Sequence, residues 1–206
     1  MKPLTGVDPF RGRSLGPEWE WNHDPGNSKW SVKNQLRLKT ATVTENLYRA
    51  RNTLTHRILG PESTATIELD YSAMKDGDRA GLALFRDSSA WIGIERDDGS
   101  FKVVMEENLT MDNRWQTTST GTEVAGDPVS SGKIWLRTSA DIHPGGRRTA
   151  EFSYSTDGRT VRPIGRPFVL NNHWQLFVGY RYAIFNYATQ SLGGEVSVSS
   201  FTMTTP

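Results

Sequence analysis

The chain has no cysteine. Disulfides, thiol chemistry and cysteine-ligated zinc are therefore outside its repertoire, although this absence does not fix the compartment. Stability must come from burial, and 206 residues allow it: a domain of this size buries roughly 70% of its unfolded surface. An excess of charge is missing too, since 24 Lys and Arg stand against 23 Asp and Glu for a net charge of +1. Without a basic stripe to neutralise a phosphate backbone, nucleic acid is excluded as a partner. No apolar run approaches the length of a bilayer span, so no membrane partner is expected. The opening Met1-Lys2-Pro3-Leu4-Thr5 lacks the apolar stretch of a signal peptide. Linkers, low-complexity tracts and fixed-period repeats are also missing, and residues 1–206 read as one domain.

Helical periodicity is nearly absent, whereas alternation with period two recurs along the chain. Ala65, Ile67, Leu69 and Tyr71 share one face of a strand, with Thr66, Glu68 and Asp70 opposite. Ile134, Leu136 and Thr138 alternate with Trp135, Arg137 and Ser139, and Ala150, Phe152 and Tyr154 with Glu151, Ser153 and Ser155. Val196 and Val198 repeat the pattern. Asp97-Asp98-Gly99-Ser100 and Asp157-Gly158 put glycine where a tight hairpin wants a positive φ. About a dozen short strands at this spacing predict an all-β fold, an antiparallel sandwich or jelly roll. Ala80 to Phe85 and Ala90 to Ile94 are small, apolar or aromatic on both faces, as strands buried on both sides, or on one side with an aromatic-lined groove on the other, would be.

Three of the seven tryptophans fall in the segment from Trp19 to Trp30, interleaved with Glu20, Asn22, His23, Asp24 and the Pro25-Gly26 turn. Flat indole faces beside amide and imidazole hydrogen-bonders suit the apolar face and hydroxyl rim of a sugar. Trp21, Asn22, His23 and Trp30 are the foremost ligand candidates, with edge-of-core packing as the alternative for each tryptophan. Glu18 and Glu20 are two apart, which puts strand neighbours at roughly 6.5–7 Å, a separation that inverting glycosidases use. Solvent-facing strand positions often carry two carboxylates, and a working pair usually flanks the scissile bond from different strands, so the spacing alone does not make a catalytic site.

The stretches Leu15-Gly16-Pro17-Glu18-Trp19-Glu20-Trp21-Asn22-His23-Asp24-Pro25, Ala50-Arg51-Asn52-Thr53-Leu54-Thr55, Met74-Lys75-Asp76-Gly77-Asp78-Arg79-Ala80-Gly81-Leu82-Ala83, Ala90-Trp91-Ile92-Gly93 and Ala183-Ile184-Phe185-Asn186-Tyr187-Ala188-Thr189 carry a resemblance over nearly the whole chain. Together they resemble the C-terminal concanavalin A-like β-sandwich of family 43 glycoside hydrolases of the β-xylosidase type. Such domains are also grouped as a carbohydrate-binding module family directed at xylan (family 91). The resemblance implies a non-catalytic module that binds xylan or xylo-oligosaccharide, needs no cofactor, and sits in cis with a catalytic five-bladed propeller inside an extracellular or secreted enzyme. Nothing in the 206 residues resembles a propeller blade.

Beyond the tryptophan segment, the ligand set is expected to draw on Asn52, Trp91, Arg181, Asn186 and Tyr187. Guanidinium and amide groups hydrogen-bond vicinal hydroxyls well. Asn52, beside Leu54 on an inward strand face, needs a partner and is the stronger candidate of its stretch. The alternative there is a solvated outer face with an inner face of mixed size. Core comes ahead of groove lining for Trp91, and Asn186 and Tyr187 have fixing of the loop after the last long strand as their alternative. In resembling enzymes a loop of the sandwich leans over the propeller and helps close its pocket. Asn171-Asn172-His173-Trp174 is the counterpart by position, so Asn172, His173 and Trp174 are expected at an interface with the catalytic domain. Sandwiches of this class often tie their first and last strands with calcium. Asp8 is present for that, but Ser197, Ser199 and Ser200 stand where an acidic partner would be expected. Two rivals remain: a structural module that only completes the propeller's pocket, and a jelly-roll enzyme with carboxylates paired across a groove.

Overall fold

The structure is a computed structural model describing residues 5–130, 132–173 and 179–206. In chain order the strands are β1 (Gly6–Asp8), β2 (Trp19–Trp21), β3 (Trp30–Val32), β4 (Leu36–Lys39), β5 (Leu54–Arg57), β6 (Glu62–Asp70), β7 (Asp78–Phe85) and β8 (Ser88–Asp97). They continue as β9 (Ser100–Met111), β10 (Thr117–Val129), β11 (Lys133–Asp141), β12 (Thr149–Ser155), β13 (Arg162–Val169), β14 (Arg181–Ala188) and β15 (Glu195–Thr204). One sheet runs β13-β12-β11-β6-β15-β4-β3, with β1 added along β15, and the other runs β10-β9-β8-β7-β14-β5-β2. All ladders between these strands are antiparallel, which gives the expected all-β sandwich.

Alternation places the core. β6 and β11 bury every second residue, so Ala65, Ile67 and Leu69 pack inward beside Ile134 and Leu136. The opposing sheet contributes Leu82, Leu84, Ile92, Ile94, Val103, Met105, Tyr182 and Ile184 to the same core. At the hairpin joining β8 to β9, both Asp98 and Gly99 have positive φ (49° and 75°), the pairing whose twist matches flanking antiparallel strands.

The second face of β7, β8 and β14 is buried as well, but not as an open groove. Residues 40–53 fold back across it, and Leu47, Tyr48 and Ala50 pack on Ala83, Phe85, Trp91, Val104, Leu109 and Phe185. Hydrogen bonds hold this cover in place and in shape. Tyr48 donates its hydroxyl to Leu109 O (2.8 Å), Asn46 Nδ2 donates to Thr117 Oγ1 (2.8 Å), and Arg51 N donates to Thr42 Oγ1 (3.0 Å) across its neck. Of the two readings of the two-sided apolar strands, burial on both faces is the one the structure has, because the chain covers the second face with its own residues.

Register also sorts the loops into two ends. At one end lie Gly6 opposite Met203, Arg57 opposite Arg181, the β7–β8 turn at Arg86-Asp87, and the crossover from β13 to β14. At the other lie Trp21 opposite Leu54, Ala188 opposite Asp78, and Glu195 opposite Lys39.

Candidate functional site

The tryptophan segment opens on β2. Trp19 points inward, its indole N–H donates to Asp8 Oδ2 (2.8 Å), and its ring meets His56 and Phe201 edge-on at 5.0 and 4.9 Å. Two residues on, Trp21 faces the same way at the margin of the core and stays partly exposed, its ring 5.0 Å from that of Trp30. Trp30 Nε1 donates to Asn27 Oδ1 (3.2 Å). Between them the exposed Asn22 and His23 turn outward; Asn22 N donates to Thr53 O (3.0 Å), and His23 Nε2 lies 2.7 Å from Tyr48 O. The structure thus brings Trp21, Asn22, His23 and Trp30 together at one end as a half-exposed aromatic pair rimmed by amides and an imidazole.

Other expected ligand residues go elsewhere. Asn52 is 1% exposed and clamps the Pro25-Gly26 turn: Gly26 N donates to its Oδ1 (2.8 Å), and its Nδ2 donates to Gly26 O (3.3 Å). It holds the candidate segment in shape from behind. Trp91 is 0% exposed, edge-on to Phe185 at 5.3 Å beneath the 40–53 cover. Asn186, also buried, spans the sandwich by donating to Leu38 O (2.7 Å), and Tyr187 stacks on Phe185 at 5.8 Å. Burial runs against the expectation for these four: Trp91 and Tyr187 lie beneath the 40–53 cover, Asn186 between the sheets and Asn52 behind the Pro25-Gly26 turn, where each packs or braces instead of facing solvent. Arg181 is partly exposed on the outer face and is held by Glu20 and by Thr55 Oγ1 (3.2 Å).

Glu20 pairs with Arg181 and lies 3.9 Å from Arg57, while the Glu18 carboxylate folds over Gly16, so the two do not face each other as a pair. A second set of carboxyls on the outer face of β8 to β10 was not evident in the sequence. Burial, then the charge of Glu95, pushes Glu106 up to about 7 against the pull of Arg79. Glu95 is itself raised by burial, yet it is bound by Arg79 at 2.9 Å, and Arg79 also holds Asp97 at 2.8 Å. Trp91 Nε1 makes no well-formed hydrogen bond, although the Glu106 carboxyl is close enough to feel it. These groups border a face whose middle is filled by Leu47, Tyr48 and Ala50.

Asp8 accepts from Trp19 Nε1 and from Phe10 N (2.8 Å), and β1 is tied to β15 by a ladder from Gly6–Met203 to Asp8–Phe201. That ladder joins the first and last strands, and among the described residues no three His, Cys, Asp or Glu side chains are grouped to hold a metal ion.

The opposite end carries the crossover loop. Arg86, 7% exposed, reaches from the β7–β8 turn to donate to Asn171 O (2.9 Å), Asn171 Oδ1 (3.0 Å) and His173 O, while its guanidinium lies 5.5 Å over the Tyr180 ring. Asp87 receives Asn171 Nδ2 (3.1 Å) and lies 3.4 Å from His173 Nδ1. Asn172 and His173 are thereby presented to solvent from a rigid base; Trp174 lies outside the described residues. Beside them is a cleft of about 410 Å³ lined by Ile58, Ile142, Pro144, Leu170 and Tyr180, with Arg148 at its rim. The role of Arg86 was not foreseen, because an arginine after a strand reads as a solvated turn residue until the loop that it binds is placed above it.

Sandwich, capped outer face and strand order define a concanavalin A-like domain. A family model described as the beta-xylosidase C-terminal concanavalin A-like domain matches residues 7–204, and the chain belongs to that family. Among solved structures, a family 43 glycoside hydrolase engineered to display both endo-xylanase and exo-arabinofuranosidase activity is 42% identical, with a TM-score of 0.96 over 100% of this chain and 42% of its own. A bifunctional GH43-CE protein of Bacteroides eggerthii is 32% identical (TM-score 0.86), covering 96% of this chain and 25% of its own. A beta-xylosidase of Formosa agariphila is 26% identical over 233 residues, 98% of this chain and 36% of that protein. The chain therefore spans less than half the length of these relatives, and in the two solved structures the same fold is part of a family 43 protein.

Proposed function

We propose that the domain docks in cis on the catalytic part of a family 43 glycoside hydrolase and completes its active-site pocket with the Asn171–His173 loop. The carrying observation is the bracing of that loop: a buried guanidinium with three acceptors fixes a short exposed segment. The same end of the sandwich is where Gly6 enters, so a preceding catalytic part of a C-terminal domain would join there. The adjacent apolar cleft offers area to bury. The test is to add the domain to the catalytic part of the 42% identical hydrolase freed of its own sandwich. Co-elution and recovered activity on aryl xylosides or arabinosides are expected; separate elution with unchanged activity would refute the docking role.

A second reading, binding of xylan or xylo-oligosaccharide, is favoured by one feature, the half-exposed Trp21–Trp30 pair beside Asn22 and His23. Two stacked rings at about 1 kcal/mol each beyond buried area imply weak binding, roughly millimolar to tens of micromolar. Titration calorimetry with xylohexaose and arabinoxylan, alongside a reducing-end assay, tests it. Heat without product, lost in Trp21→Ala, is the expected result; undiminished heat in the variant would sink the site, and product would mark an enzyme.

A further inference from the structure

The hairpin between β9 and β10 holds the most exposed tryptophan among the described residues. Trp115 is 55% exposed and adopts φ 61°, a left-handed conformation that is a true outlier for a bulky side chain. The turn is closed by Trp115 N to Asp112 O (3.1 Å) and Asp112 N to Gln116 O (2.9 Å), so Trp115 occupies the left-handed position of a hairpin loop where glycine is the natural choice. Strain of this kind persists only where the surroundings hold it. Here Asp112 Oδ1 accepts from both Arg114 N and Gln116 N at 2.9 Å, and Asn46 holds Thr117 just beyond. The indole is thus displayed from a braced base.

Its location gives the display a purpose. Met111 N donates to Asp87 O (2.8 Å) at the root of the hairpin, and the same Asp87 receives Asn171 and neighbours His173. One aspartate therefore joins the hairpin to the crossover loop, at the end of the sandwich where β1 starts. Large rigid aromatics bring much contact area at little entropic loss, and truncating one that is buried within a docking surface weakens a complex the most.

We infer that Trp115 is an anchor by which the domain grips the catalytic part of the hydrolase, as a second point of contact beside the Asn171–His173 loop. This inference rests on the docking reading above. Trp115→Gly removes the indole and relieves the backbone, so the isolated variant should melt at or above the parent temperature. The catalytic part of the 42% identical hydrolase is fused ahead of Met1, and acrylamide quenching compares parent with Trp115→Gly in the fusion and in the isolated domain. The expected result is a quenchable component that belongs to Trp115 in the isolated domain and is shielded in the fusion. Association of the separate domain with the catalytic part should be weakened at least ~10-fold by the substitution. If the domain associates but Trp115 stays fully quenchable and the substitution leaves association unchanged, the anchor is overturned and the docking reading stands. If no association occurs with either protein, both fall. Shielding of Trp115 by xylohexaose in the isolated domain would instead assign it to sugar and overturn the anchor.

Discussion

Replacing Arg86 tests the physical basis of the loop. Arg86→Ala deletes a buried guanidinium that satisfies two backbone carbonyls and one amide oxygen, lies 3.5 Å from Asp87 and covers the ring of Tyr180. Charge-assisted hydrogen bonds contribute about 1.5–3 kcal/mol each, but the three share one donor group and are not additive. Removing one partner of a buried charged pair costs about 3–5 kcal/mol, and we take about 4 kcal/mol as the expected loss, because Asp87 loses its cationic neighbour while Asn171 O, Asn171 Oδ1 and His173 O lose their donor. With a urea slope of about 3 kcal/mol/M for a chain of this size, the unfolding midpoint should fall by roughly 1–1.5 M. Arg86→Lys keeps the charge but not the fork, so it should fall between parent and Ala. Hydrogen exchange should locate the loosening at residues 171–173. A midpoint change below about 0.3 M for Arg86→Ala, with unchanged exchange there, would refute the bracing.

Burial pushes Asp78 up to about 6 from an ordinary 3.8, with one oxygen held by Lys75 N (2.7 Å) and the other unpartnered. The folded form therefore holds this proton more tightly than the unfolded form, so its contribution is fully present below pH 4 and is lost as pH rises through 6, at most about 3 kcal/mol. Asp78→Asn should gain melting temperature relative to the parent between pH 4.5 and 7.5; a constant offset across that range contradicts the assignment. Asn52→Ala removes both bonds to Gly26 and should cost about 1–2 kcal/mol, and any xylan titration should weaken because the Pro25-Gly26 turn between Trp21 and Trp30 loses its clamp. Gly93→Ala places a Cβ 2.5 Å from Ala80 O and 2.9 Å from the Trp91 ring. Overpacking of about 1–3 kcal/mol should lower the melting temperature by roughly 2–12 °C and shift the Trp91 emission; an unperturbed melt would show that the sheet yields there.

Local pattern made much of the fold legible. The period-two runs at Ala65–Tyr71, Ile134–Ser139 and Ala150–Ser155 carry their burial in the order of their residues, because successive strand side chains must alternate between faces. The Asp98-Gly99 turn was legible for a similar reason, since its φ values exclude most other residues. The site was legible only in part. Trp21, Asn22, His23 and Trp30 are near neighbours in sequence, and a short strand and turn suffice to group them. Trp91, Asn52, Asn186 and Tyr187 have the chemistry of ligand residues, yet their roles depend on what lies above them, and that comes from segments far away along the chain.

The sequence by itself determined an all-β sandwich and its family, because alternation, turn chemistry and the spacing of the tryptophan-rich and Asn-Tyr-Ala-Thr segments are local properties. Only the tertiary structure decided which surfaces remain available. Residues 40–53 close the outer groove over Trp91, Arg86 stiffens a loop more than eighty residues away, and the turn at Trp115 joins that loop through Asp87. These are long-range contacts, fixed by which strands pair and which loops cross the sheets; no local run of residues encodes them alone.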